Sequence, residues 1–144
     1  MKPENELTME FLSRSCNEAF ARAAVGAFIA PLDPNLEELS DIKTAVSEAV
    51  TNCIVHAYPE GAGTIRLSCR VDADRNVEIR VEDHGVGIPD VTAAREPMFT
   101  TGGQDRSGMG FTIMEKFMSS LQVESRPGEG TTVTMTRRLQ ERKP

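Results

Sequence analysis

Alternation of apolar and polar residues, and apolar recurrence every third or fourth position, divide the chain into strands and helices. Leu7, Met9 and Phe11 stand between polar neighbours, which predicts a first, edge strand with one buried face. Ser15 followed by Glu18 reads as a capping box. The helix it opens would carry Phe20, Ala24, Ala27 and Phe28 on one face, leave Arg22 on the opposite, solvent side, and end before Pro31. Asp33-Pro34 predicts a restart, an N-cap acceptor followed by a residue tolerated in the first turn. The long helix that follows reaches about His56. Its buried stripe is Leu39, Ile42, Val46, Ala49, Cys53 and Ile54, and Pro59, Gly61 and Gly63 close it. Two alternating runs, Ile65/Leu67/Cys69/Val71 and Val77/Ile79/Val81, joined by the polar turn 72–76, predict a hairpin. From residue 83 to 110 the periodicity fades into a stretch rich in Gly, Thr and Pro, too long for a casual connection inside a domain. Phe111, Met114, Phe117 and Met118 restore a helical spacing, and 121–125 with 132–138 read as a closing hairpin around Pro127-Gly128-Glu129-Gly130.

These elements add up to an α+β two-layer sandwich: one antiparallel or mixed β-sheet covered on one face by about three helices. Parallel βαβ units are not required, which disfavours the doubly wound nucleotide-binding folds. A length of 144 residues fits a single domain over 1–144, with no room for a separate receiver or sensor module. The formal net charge of -6 argues against affinity gained by neutralising nucleic-acid phosphates, so any link to transcription should run through a protein partner. Cys16, Cys53 and Cys69 are odd in number and far apart, with no CxxC pair, and suggest neither a disulfide framework nor a zinc site. No stretch approaches the roughly 20 apolar residues of a membrane span, and residues 1–10 mix acidic and apolar types. The expected compartment is the cytoplasm.

Three segments carry candidate chemistry. Glu48, Asn52 and His56 recur at i, i+4, i+8 on the long helix, stacking a carboxylate, a carboxamide and an imidazole along one stripe; the same spacing also fits a solvated helix face. Asp83-His84-Gly85-Val86-Gly87 follows an alternating strand directly. Its carboxylate could accept a hydrogen bond from an adenine amino group while Gly85 and Gly87 admit close approach, or it could cap a glycine-rich turn. Ser107-Gly108-Met109-Gly110 opens a helix, where backbone N–H groups and the helix dipole favour phosphate. Gly103 and Gly108 mimic a P-loop spacing, but Met109 stands where that motif needs Lys. No His-Arg-Asp or Asp-Phe-Gly triplet of the eukaryote-type protein kinases occurs.

In order and spacing these segments, followed by Gly128-Glu129-Gly130-Thr131, resemble the asparagine and glycine boxes of the ATPase family shared by bacterial histidine kinases, gyrase-type topoisomerases, Hsp90-type chaperones and MutL, over roughly residues 40–135. Within that family, the run 47–52 (Ser-Glu-Ala-Val-Thr-Asn), the run 97–101 (Pro-Met-Phe-Thr-Thr) and the run 106–115 from Arg106 to Glu115 look most like the anti-sigma F serine kinases of sporulation. The resemblance implies ATP and Mg²⁺ as cofactors, with Asn52 as the protein ligand to the metal, Asp83 reading adenine, Gly85 and Gly87 beside the base, and Thr131 bonding the Asp83 end, Thr132 being the fallback. Residues 100–110 would lie over the triphosphate, with Thr100, Thr101, Ser107, Gly108, Met109 and Gly110 contacting it and Arg106 reaching either the γ-phosphate or a partner. Glu48 would be the catalytic base toward a serine on an anti-anti-sigma protein.

The partners so implied are a sigma F-type factor, that antagonist as phosphorylation substrate, and a second copy in a homodimer built on the N-terminal strand and helix. Arg22 is the leading docking residue. His56 is expected to be structural, and His84, which departs from the acidic residue expected in its box, takes no catalytic role. The Phe111/Met114/Phe117/Met118 stripe is core. Three other readings compete: a detached histidine-kinase catalytic domain, a module that binds ATP only to hold a sigma-binding shape, and an anti-sigma B kinase of stress regulation.

Overall fold

The computed structural model describes residues 1–95 and 110–141. Five strands and the helices between them run in the order β1 (Pro3–Leu12), α1 (Cys16–Ile29), a 3₁₀ turn (Ala30–Leu32), α2 (Leu36–Asn52), a π-helical turn (Cys53–Ala57), β2 (Thr64–Asp72), β3 (Asn76–Asp83), α3 (Val91–Arg95), α4 (Gly110–Phe117), β4 (Ser120–Arg126) and β5 (Gly130–Arg138). The strands form one sheet in the spatial order β1-β2-β3-β5-β4, and every neighbouring pair is antiparallel. The α+β sandwich expected from the sequence is the observed fold.

Register follows from burial. Along β2, Ile65, Leu67, Cys69 and Val71 are buried while Arg66 between them is exposed. A one-residue slip would turn all four outward. At about 1.5–3 kcal/mol for each of the three aliphatic side chains, the loss would rival the whole stability of a small domain. The same alternation buries Val77, Ile79, Val81 and Asp83 on β3 and Val133 and Met135 on β5. These side chains meet Ile42, Ala45, Val46, Ala49 and Val50 of α2 and Met114 of α4 in one core.

The first helix differs from expectation in three respects. Ser15 closes no capping box: its backbone is already helical, its side chain makes no cap hydrogen bond, and Glu18 pairs instead with Arg22 at 3.0 Å. The buried face is Ala21, Val25 and Ile29, one position along from the expected stripe, with Phe20 53% exposed and set edge-to-face on Phe11 at 6.1 Å. Ala21, Val25 and Ile29 fill that face where α1 lies close on α2. A Cβ on Gly26 would already stand 3.3 Å from Cδ of Lys43. Arg22 lies at the edge of the α1–α2 contact, part-exposed, with Nη1 3.4 Å from Ser47 Oγ.

The restart also moves. Asp33 ends the 3₁₀ turn in the left-handed region (φ 52°), and Asn35 is the N-cap of α2. Asn35 Oδ1 accepts the Glu38 N–H at 2.7 Å while Glu38 Oε1 accepts the Asn35 N–H at 2.9 Å, a reciprocal box that satisfies two otherwise orphaned donors. Glu38 is buried because its other oxygen accepts the Gln140 N–H at 2.7 Å, tying the helix start to the end of the sheet. No helix among the described residues is long and apolar enough to cross a membrane.

Candidate nucleotide site

A cavity of about 580 Å³ opens between α2, the π turn, the segment after β3, α4 and the start of β5. Its size suits a small-molecule ligand, and its wall is mainly apolar with a few polar groups. Asp83, the last residue of β3, is buried at 6% exposure and puts a carboxyl group on that wall. Its Oδ1 accepts the Gly85 N–H at 3.0 Å and the Thr131 N–H at 3.2 Å; its Oδ2 accepts the Cys53 S–H at 3.4 Å. The carboxylate thus caps its own glycine turn and also lines the cavity.

The turn is built on close backbone contacts. Val86 N–H donates to Ala57 O at 2.9 Å and Gly128 N–H to Val86 O at 2.8 Å, while Ile88 N–H donates to Ser125 Oγ at 2.7 Å. Gly87 has φ +77°, and a Cβ there would lie 2.3 Å from the Arg126 carbonyl oxygen. Gly85 differs in role from expectation. It does not line the cavity; a Cβ on it would fall 2.0 Å from Ala57 O, so its smallness serves packing against the π turn. Thr131 lines the cavity as expected and bonds Asp83 through its main chain, its hydroxyl lying 2.8 Å from Ser125 Oγ; Thr132 is not in the wall.

On α2, Glu48 and Asn52 stand one turn apart, Asn52 in the cavity wall and Glu48 outside it. A Cβ on Gly110, the first residue of α4, would stand 3.2 Å from Asn52 Oδ1 and 3.3 Å from Glu48 Oε2. Glycine at this point thus lets two polar side-chain ends meet the start of a helix. The stripe does not continue to His56 as an α-helical row. After Asn52 the helix widens into the π turn, a feature that often marks functional sites, and His56 joins the cavity wall from there. His84 is exposed and its N–H donates to Tyr58 Oη at 2.8 Å.

Thr100, Thr101, Arg106, Ser107, Gly108 and Met109 lie outside the described residues. Among the described residues no group of three His, Cys, Asp or Glu side chains could hold a metal ion. Asn52 on the wall offers one carboxamide oxygen, a hard donor of the kind Mg²⁺ takes when its other positions are filled by phosphate and water.

The sequence reading did not assign Cys53, Val86, Ile88, Ala94, Phe111 and Val133 to the site, yet they line it. Cys53, Phe111 and Val133 lie on the core faces of their own elements and were legible only as core; Val86 and Ile88, alternating about Gly87, carried a signal. Burial, with the Asp83 charge and hydrogen bond adding, pushes the Cys53 thiol well above its ordinary value, so it is a protonated donor at neutral pH.

A sheet backed by helices thus carries one cavity lined both by the acidic residue that ends β3 and by an Asn of the long helix. The family described as histidine kinase-like ATPase domain matches residues 14–137. The anti-sigma F factor of Caldanaerobacter subterraneus is 53% identical over 138 residues, covering 95% of this chain and 96% of that protein. That of Pasteuria penetrans is 55% identical over 139 residues, with 94% and 92% covered. The RsbU and RsbW domains of a Mycobacterium tuberculosis protein superpose with a TM-score of 0.69 at 23% identity, over 95% of this chain and 33% of that one, a likeness of fold. The chain belongs to the histidine kinase-like ATPase family and, within it, to the anti-sigma F factors.

Proposed function

We propose that the chain is a cytoplasmic anti-sigma factor of the sigma F type that binds MgATP and phosphorylates a serine on its anti-anti-sigma antagonist. The observation that supports this reading is that Asn52, Gly110 and Asp83 line one cavity, with Glu48, itself not in the wall, reaching Gly110 beside Asn52. Asp83 accepts the adenine amino group and Asn52 supplies one oxygen to the metal. Magnesium, when bound, neutralises charge on the phosphate oxygens during transfer. Residues 100–110 contact the triphosphate, with Thr100, Thr101, Arg106 and Ser107 as side-chain donors and Gly108, Met109 and Gly110 as backbone.

Glu48 takes the proton from the attacking serine hydroxyl as the serine oxygen bonds to the γ-phosphorus and the bond to the β-phosphate oxygen breaks, leaving ADP. Arg22 is the docking residue for a protein partner: its side chain is 42% exposed, on the α1 edge beside Ser47. A homodimer through the N-terminal strand and first helix is supported by the position of β1 at the sheet edge and by the exposed Phe20 beside it.

Intact-mass analysis of a candidate antagonist, after incubation with MgATP and either this chain or Glu48→Gln, tests the proposal. The wild type should add one acid-stable phosphoryl group, and Glu48→Gln should lose transfer by roughly 10²–10⁴-fold while still binding ATP. Acid-labile phosphate would point to a histidine acceptor. No transfer at all, with sigma binding still dependent on nucleotide, would make the chain an ATP-gated binding module.

A further inference from the structure

Asp83 has about four lone-pair positions as a carboxylate. Two donors, the N–H groups of Gly85 and Thr131, converge on Oδ1, while Cys53 Sγ lies 3.4 Å from Oδ2. One acceptor position is therefore left, and it belongs to the oxygen that Cys53 holds. The thiol comes from the first residue of the π turn, 30 positions before Asp83, and both residues line the cavity.

We propose that Cys53 is a positioning residue for base recognition: its S–H fixes Oδ2 of Asp83 so that the remaining lone pair is presented to the 6-amino group of an adenine nucleotide. This inference rests on the ATP reading above. Held from behind by a donor, Oδ2 can take a second donor and is a poor partner for a purine bearing a 6-oxo acceptor or no group there. The residue touches the base only through Asp83, so its effect should depend on whether the base has an amino group to offer.

The test is a cycle between protein and ligand. Binding of ATP and of purine riboside 5′-triphosphate, which lacks the 6-amino group, is measured by isothermal titration calorimetry for wild type, Cys53→Ser and Cys53→Ala, with circular dichroism of each protein without nucleotide. Wild type should prefer ATP. Cys53→Ala should weaken ATP binding about 3- to 10-fold while changing the binding of the 6-deamino analogue less than twofold. Cys53→Ser, which restores a donor of similar size, should keep the preference within about threefold of wild type. Equal loss for both nucleotides in Cys53→Ala, or a serine variant as weak as alanine with an unaltered fold, would overturn the inference and leave the ATP reading standing. Wild type that binds neither nucleotide would overturn both.

Discussion

Replacing Gly110 with alanine should separate stability from turnover. The added Cβ would stand 3.2 Å from Asn52 Oδ1, 3.3 Å from Asn52 Nδ2 and 3.3 Å from Glu48 Oε2. All three are side-chain ends, so a shift of a few tenths of an ångström relieves the contact without moving backbone. Against that small strain, alanine at the start of α4 gains up to about 0.5–1 kcal/mol in helix propensity. Folding free energy should therefore change by less than about 1 kcal/mol, which for a chain of this size keeps Tm within about 4 °C. Turnover obeys a steeper rule, since misplacing a reacting group by about 1 Å can cost roughly 10²-fold. A displacement of a few tenths at both Glu48 and Asn52 should then slow phosphoryl transfer by about 2- to 10-fold. Thermal unfolding followed by circular dichroism, and single-turnover transfer at saturating MgATP, read the two quantities apart. Transfer at the wild-type rate, or a Tm lowered by more than about 8 °C, would refute the claim that Gly110 acts as a spacer for these two side chains.

Two further outcomes concern the scaffold. Gly130 has φ +109°, and a Cβ there would fall 2.1 Å from the Asp83 carbonyl oxygen, so Gly130→Ala combines backbone strain with overpacking. A loss of roughly 2–5 kcal/mol in urea unfolding is expected, and an unchanged midpoint would contradict the contact. Burial, with the Glu78 charge adding, pushes the Cys69 thiol from 9.0 up to about 12; Cys53 is raised as well. A folded thiol that keeps its proton after the unfolded chain has lost it contributes stability that is full below about pH 9 and declines as pH rises toward 12, by about 1.4 kcal/mol per pH unit per thiol. Urea titrations at pH 8.5, 9.5 and 10.5 should show this decline, and Cys69→Ala should flatten it.

The strands were legible because a sheet with one buried face writes its geometry as a period of two, as in Ile65/Leu67/Cys69/Val71. The buried face of α1 was not, because size misleads where helices approach closely: Phe20 is the more hydrophobic residue, yet Ala21 is the one that fits against α2. Asp33 and Asn35 are both good caps, and only the reciprocal bond with Glu38 decides between them. Asp83, Asn52 and Gly87 could be placed in one site through the resemblance to the family's boxes, and all three line the cavity. The role of Gly85 could not, since its need for glycine comes from Ala57, a residue of another element. The partnership of Cys53 with Asp83 was hidden for the same reason: each residue looks ordinary within its own segment.

The pairing of β3 with β5 across the intervening chain fixes when this site can come into being. Asp83 takes a donor from Thr131, 48 residues later, and Glu38 at the foot of α2 takes one from Gln140, 102 residues later. During synthesis the first three strands and the long helix leave the ribosome well before either donor does. A nascent chain can thus hold most of its secondary structure and still lack the donor from Thr131 that completes the Asp83 wall of the cavity. The cavity is thus completed in one step, when the closing hairpin docks on β3, and not gradually with chain length.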